Sequence, residues 1–497
     1  MPLGPGFRLH SRQMMLGETP AQPAPVHVRI ADRMENTGNR PLDFLDVNLP
    51  VTINAATSNL TIRMDGRTVS PLPVSDAPDA PLRLRFDPPW PPRQRREAVL
   101  EYDLATDPDL GGVAAATPDG FYLADPRALP FWLAPAGFFA SGEVLSRDER
   151  FEVSLPADFL VVASGRQQRR RSPGGSYLYR FRTSGREWPS FVVAGRYQQQ
   201  IVETQSGVVV FWTFQPLDPD VARMAAERLA NTWAIFARLF GPAAAGSAPL
   251  RVVETPAGVV SPSSTGPDAA VAAFPQGLLL GPRAFAQGIA GEPVLRLAEA
   301  ELVRIWFGWR VPLRPEVETL LGPGLGMFAV AMAAEARGGQ EARRLEIARL
   351  LADYDRARVP GDEGSLLRPP AESTPQQRAA DALKAALFLA ALDDLAGQDN
   401  FETAVSRLQV AIAGRGLSIS LDDLRSSLEL SAGTALADVF RLWLNRPGVP
   451  DDFRARYSQS AAAASGAPSI AAGRNSTRGS GLPRRLRAGI RGSGLQP

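Results

Sequence analysis

Leu297-Ala298-Glu299-Ala300-Glu301-Leu302-Val303-Arg304-Ile305-Trp306-Phe307-Gly308 is the stretch that decides how this chain of 497 residues is read. Apolar side chains recur at Leu295, Ala298, Leu302, Ile305, Trp306 and Trp309, the spacing of one buried stripe on a helix over 292–309. Glu292 and Arg296 stand four apart and Glu301 and Arg304 three apart, so each couple can pair along that helix.

Towards the C-terminus the helical period continues. It marks helices over 321–337, 341–355, 374–396, 400–413, 420–430 and 434–444, with Ser420 and Asp423 placed as a capping box. Before the quoted stretch lie a long amphipathic helix over 218–240 and two strand-like runs, 208–214 and 250–254. Further upstream the period changes to two. Val26-His27-Val28-Arg29-Ile30, Leu82-Arg83-Leu84-Arg85-Phe86, Ala98-Val99-Leu100-Glu101-Tyr102 and Tyr177-Leu178-Tyr179-Arg180-Phe181 alternate between turn residues, the mark of an antiparallel all-β domain. Arg169-Arg170-Arg171 reads as a solvated hairpin tip, because no aromatic residues interleave it as in a nucleic-acid surface.

The expected organisation is α+β and multidomain. Residues 1–25 form a flexible arm, 26–199 an all-β domain, 200–457 a mostly helical domain with a small sheet, and 458–497 a disordered basic tail. The tail carries six arginines and no acid, so the mild excess of basic residues in the chain comes from it. No transmembrane segment is expected, since no run reaches the roughly 18–20 apolar residues that spanning requires. The first 25 residues lack the charged start and apolar centre of a signal peptide.

Counting excludes much chemistry. The chain has two histidines, His10 and His27, and no cysteine. That removes disulfides, thiol nucleophiles, a Ser-His pair and any zinc site built on two His or Cys ligands from everything beyond residue 27. The glycines at 322, 324 and 326 lack the Lys-Ser/Thr of a phosphate loop, and the adjacent aspartates at 393–394, 422–423 and 451–452 have no calcium-loop spacing.

The quoted stretch resembles the helix H-E-L-x-H-Q-W-F-G of the gluzincin aminopeptidases, the family of membrane alanyl aminopeptidases. Glu301-Leu302 and Trp306-Phe307-Gly308 match it in register. In that family the two histidines bind zinc and the intervening glutamate is the general base. Here Ala300 and Arg304 stand at the histidine positions, and Glu301 at that of the base. The family's third ligand, a glutamate nineteen residues on, falls at Pro323 within Leu320-Leu321-Gly322-Pro323-Gly324-Leu325. Its transition-state tyrosine falls at Ala382, in Ala382-Leu383-Lys384-Ala385-Ala386-Leu387, which keeps the chain's one lysine, Lys384. Ser190-Phe191-Val192-Val193-Ala194-Gly195 is similar to the last strand of the family's β domain, and Val439-Phe440 with Trp443-Leu444 to the end of its catalytic domain. Nothing like the family's G-x-M-E-N loop occurs in 253–284.

The resemblance implies an N-terminal antiparallel β domain on a thermolysin-like helical domain, from which the zinc ligands have gone. It therefore implies no cofactor here, although zinc is the family's. Arg304 and Lys384 become cleft candidates, and a Glu301–Arg304 contact would let a fixed guanidinium stand in for the missing cation. The reading that follows is a non-catalytic homologue holding a peptide or protein in the interdomain cleft, with no nucleic acid expected. The alternatives are an active metallo-aminopeptidase with non-standard ligands, or a structural component of a bacterial assembly.

Overall fold

The computed structural model describes residues 8–464 except 17–25, 49–59, 75–80, 105–113, 118, 125–130, 134–147, 164–165, 172–175, 185–190, 242–248, 257–270, 312, 360–364, 368–373 and 416–417. Its first half is built of strands, as the period of two requires. An eight-stranded sheet runs in the order 166–171, 177–184, 148–155, 8–16, 26–35, 95–104, 61–64, 67–69, and two four-stranded sheets accompany it. Val28, Ile30, Leu100, Tyr102, Val153 and Phe181 turn one face of the large sheet into a core, while His27 and Arg180 beside them in sequence are exposed.

Residues 8–16 correct the expectation of a flexible arm over 1–25. Arg8–Leu16 is an inner strand, antiparallel to Val26–Glu35 and parallel to Asp148–Leu155. Two features hid it. A register shift between Leu9 and Ser11 moves the buried side from Leu9 to Arg12, Met14 and Leu16, which breaks the alternation. One inward side chain is also charged: buried Arg12 makes a two-point contact with fully buried Asp32 at 2.9 and 2.8 Å, and Trp132 Nε1 donates to the same carboxylate at 2.7 Å. The Arg169–Arg171 segment is likewise no hairpin tip but part of strand Arg166–Arg171, which forms an edge of the large sheet.

The second half begins with a five-stranded sheet in the order 198–204, 207–213, 250–254, 277–280, 271–274. The last two strands had no signal in the sequence, because all eight of their residues are buried and leave no alternation. Helix Pro219–Phe240 starts on Asp218, whose carboxylate accepts from the amides of Asp220 and Val221. The expected helices over 321–337 and 341–355 join as Leu325–Ala357, broken at Gly339, where φ is 75°. Ser420 and Asp423 form the expected capping box. The expected helix over 292–309 is shorter: Glu292–Leu302 is α-helical, Val303–Ile305 tightens to a 3-10 turn, and Gly308 at φ 129° reverses the chain.

The halves meet at an apolar joint where Tyr122, Val162 and Val193 pack with Val210, Trp212, Val253 and Phe274. A Cβ on Gly195 would lie 2.7 Å from the Phe214 ring and one on Gly120 3.2 Å from it, so bare backbone admits that ring.

Helix Asp451–Ala464 runs beyond the expected start of the tail at 458, and the rest of that tail, 465–497, lies outside the described residues. It is held by Arg456 and Tyr457, both bonded to Asp394. Next to Asp394, buried Asp393 accepts from Arg343 at 2.5 Å. Burial pushes the Asp393 carboxyl up to about 7; Arg343 opposes the shift, and Asp394, Glu335 and Glu402 add to it. A raised carboxyl pKa means that the folded state binds the proton more tightly than the unfolded one. The stabilisation is complete below about 4 and is lost as pH rises through about 7. Urea midpoints of wild type and Asp393→Asn should therefore diverge in favour of the variant between pH 5 and 8. A difference that does not change with pH would contradict this assignment.

Candidate functional site

Helix Glu292–Leu302 presents Glu299 and Glu301 to the interior together with Val294, Leu295, Ala298 and Leu302. It crosses the start of helix Leu325–Ala357 so closely that a Cβ on Gly326 would lie 2.5 Å from the Ala300 carbonyl oxygen. Pro323 sits half-buried in the π-turn Leu320–Gly324 that leads into that helix.

Glu301 is 6% exposed, so it is no solvated helix charge. Its Oε2 accepts from the backbone N–H of Ala273 at 3.3 Å. Ala273 lies in strand Val271–Phe274 at the edge of the five-stranded sheet, and its carbonyl accepts from Trp309 Nε1 at 2.9 Å. At Ala273 two side chains thus take the place of a neighbouring strand.

Arg304 is also buried, at 7% exposure. Its guanidinium lies under the π-turn: a Cβ on Gly322 would stand 2.6 Å from Nη1, and one on Gly308 3.7 Å from Nη2. The two glycines leave the room that the guanidinium occupies. Ala300, which the resemblance pairs with Arg304, is half-buried.

The remaining positions point elsewhere. Ala382 is buried within helix Pro375–Ala396. Lys384, a cleft candidate, is 2% exposed and donates its ammonium proton to the carbonyl of Arg446 at 2.5 Å, just past the end of helix Ala437–Asn445. That is a helix C-cap contact. Arg296, placed four residues from Glu292, turns inward instead and donates to Glu346 at 2.6 Å.

Sequence reasoning passed over Glu299. It is fully buried and accepts from Arg228 through Nε and Nη2 at 2.6 and 2.9 Å, from Thr232 Oγ1 at 2.5 Å and from Arg337 Nη1 at 2.8 Å. The signal was available, since Glu299 follows Leu295 by four and precedes Leu302 by three, inside the apolar stripe. Its partners, 71 and 38 residues away, could not be read from spacing.

Zinc needs several nitrogen, sulfur or carboxylate donors in one place. Among the described residues no group of three or more His, Cys, Asp and Glu is so arranged. A methyl at Ala300, a protonated guanidinium at Arg304 and a pyrrolidine ring at Pro323 offer no ligand, so the residues at these positions do not fit the ion.

No family model matches the sequence, and no curated protein does. Solved structures do match the fold. An M1 zinc metallopeptidase from Deinococcus radiodurans superposes with a TM-score of 0.61 at 16% identity, over 90% of this chain and 95% of that one. A mutant of the M1 zinc metallopeptidase from the same organism, bound to a Tyr-Ser-Ala substrate, gives 0.59 at 15% over 90% and 95%. A two-domain M1 zinc metallopeptidase mutant bound to L-arginine gives 0.60 at 16% over 90% and 95%. The fold is that of the two-domain M1 peptidases: a β-rich N-terminal half followed by a helical one.

Proposed function

We propose that this chain, built on the M1 zinc metallopeptidase fold, is non-catalytic and acts by binding a peptide or protein. The observation that carries the reading is the contact between Glu301 and the Ala273 amide. Glu301 is the one group at the family's catalytic positions whose chemistry could move a proton. A buried carboxylate that accepts a backbone hydrogen bond, with no metal ligands beside it among the described residues, has neither the access nor the electrophilic partner needed to activate water. Arg304 supplies a permanent positive charge in place of a removable ion, and we take it to neutralise Glu301.

Closure of the strand edge supports the non-catalytic part of this reading. An extended peptide adding to Val271–Phe274 would have to displace both Glu301 and Trp309 from Ala273, giving up two hydrogen bonds before making its own. A partner held in the old cleft must therefore bind without pairing to Ala273, or bind elsewhere on the molecule.

Two measurements test this. Purified protein dialysed against a mild chelator should hold far less than one zinc per chain by elemental analysis. A panel of aminoacyl-anilides should show no hydrolysis that Glu301→Gln abolishes. Stoichiometric zinc retained through dialysis, or turnover that disappears in that variant, would show a working peptidase and sink the proposal.

A further inference from the structure

Strand Gln198–Thr204 ends the five-stranded sheet and pairs with Gly207–Thr213 in an unbroken antiparallel register. Thr204 and Gly207 face each other across a two-residue turn, so they exchange the first hydrogen bonds of this hairpin. Bonding alternates along an antiparallel ladder, and Val202, Gln200 and Gln198 therefore also bond inward. The amides and carbonyls of Gln199, Ile201 and Glu203 point away from the sheet, and among the described residues no strand pairs with them.

Other edges of the molecule are guarded. Among the described strands that end a sheet, all but two are four residues long or shorter. The second long one, Arg166–Arg171, is rich in arginine, and the short strand Val271–Phe274 is occupied at Ala273 by Glu301 and Trp309. Gln198–Thr204 runs for seven residues with no bulge, no proline and no basic side chain. Its Ile201 is 60% exposed. Ile201 lies directly opposite Val210, so it carries the apolar surface of the joint out to the rim of the sheet. Val202, on the other face, packs against the core of the helical half and fixes which way the strand turns.

The order of side chains along this edge makes it complementary to itself. A two-fold axis at Ile201 sets that residue against the partner's Ile201, and Gln199 against the partner's Glu203. All three outward-bonding residues then fall into hydrogen-bonded pairs. The isoleucines cover each other, and the Gln199 amide can donate to the carboxylate opposite. An axis at Glu203 would set like charges face to face, and one at Gln199 would leave each Ile201 without an isoleucine opposite. An axis at Gln200 or Val202 would oppose groups that already bond inward.

We propose that Gln198–Thr204 pairs antiparallel with the same strand of a second copy of this chain, joining two five-stranded sheets into one across a two-fold axis at Ile201. The proposal concerns the sheet edge farthest from Ala273 and holds whether or not the chain is a peptidase.

Sedimentation velocity of the full chain between about 1 and 100 µM should show a monomer giving way to a dimer. Ile201→Pro removes one outward N–H and leaves the bonds to Gly207–Thr213 in place, and Ile201→Lys puts a charge on the dyad. Each variant that keeps the wild-type circular dichroism should associate at least roughly tenfold more weakly. Because the chain has no cysteine, single thiols test the register. Ile201→Cys should cross-link to itself under mild oxidation, since Cα atoms of such a pair lie about 5.5 Å apart. Gln199→Cys mixed with Glu203→Cys should give the mixed dimer only. A monomer at about 100 µM would leave the edge to a foreign peptide or to the chain's own C-terminal residues and overturn the proposal. Unchanged association in both Ile201 variants, or self-cross-linking of Gln199→Cys in place of Ile201→Cys, would overturn it too.

Discussion

Glu299→Ala should cost about 3–5 kcal/mol of folding stability, a large share of what a domain has. The carboxylate is fully buried and receives four hydrogen bonds from Arg228, Thr232 and Arg337. Its removal leaves two guanidinium groups facing each other over a cavity. Both arginines keep about a quarter of their side chains in contact with solvent, which places the expected loss at the lower end of that range. Glu301→Gln, two residues along the same helix, is the informative contrast. The amide oxygen can still accept from Ala273, so that hydrogen bond survives, only the charge is removed, and the expected loss is smaller than that of Glu299→Ala. Urea titrations of both variants decide the matter, and equal losses would mean that the Glu299 cluster is no anchor.

Gly326→Ala is the second large effect, and here the sign is diagnostic. Inside an ordinary helix the change stabilises by about 1 kcal/mol, because alanine is the better helix former. At Gly326 the new methyl would lie 2.5 Å from the Ala300 carbonyl oxygen, a backbone atom that cannot swing aside. Helices Glu292–Leu302 and Leu325–Ala357 must then separate, and overpacking of this kind costs about 1–3 kcal/mol. A Tm lowered by several degrees supports the close crossing, and a raised one refutes it.

Where burial and periodicity agreed, the fold could be read from the sequence. The alternating runs became strands, the gap expected between 337 and 341 fell at Gly339, and Ser420 capped its helix. The misreadings share a cause: a charge placed inside, or a period interrupted. Arg12 and a register shift concealed the first strand, and Glu299 concealed the anchor in the middle of its own apolar stripe. Val271–Phe274 concealed itself by being buried throughout. At the site, Ala300, Arg304, Pro323 and Ala382 were singled out through resemblance alone. It could not show that Glu301 reaches Ala273, because a contact between a helix and a strand 28 residues earlier belongs to tertiary packing.

The strand Arg8–Leu16 has a consequence for the order of events during synthesis. It pairs in parallel with Asp148–Leu155, which leaves the ribosome some 140 residues later. Until then one side of an inner strand, with Met14 and Leu16 on it, has no neighbour, while Val26–Glu35 can pair on the other side at once. The nascent β half therefore passes through a stage with an open apolar edge, and the slow step is closure of that long loop. Of the strands of this sheet, the one made earliest is among the last to be paired on both sides.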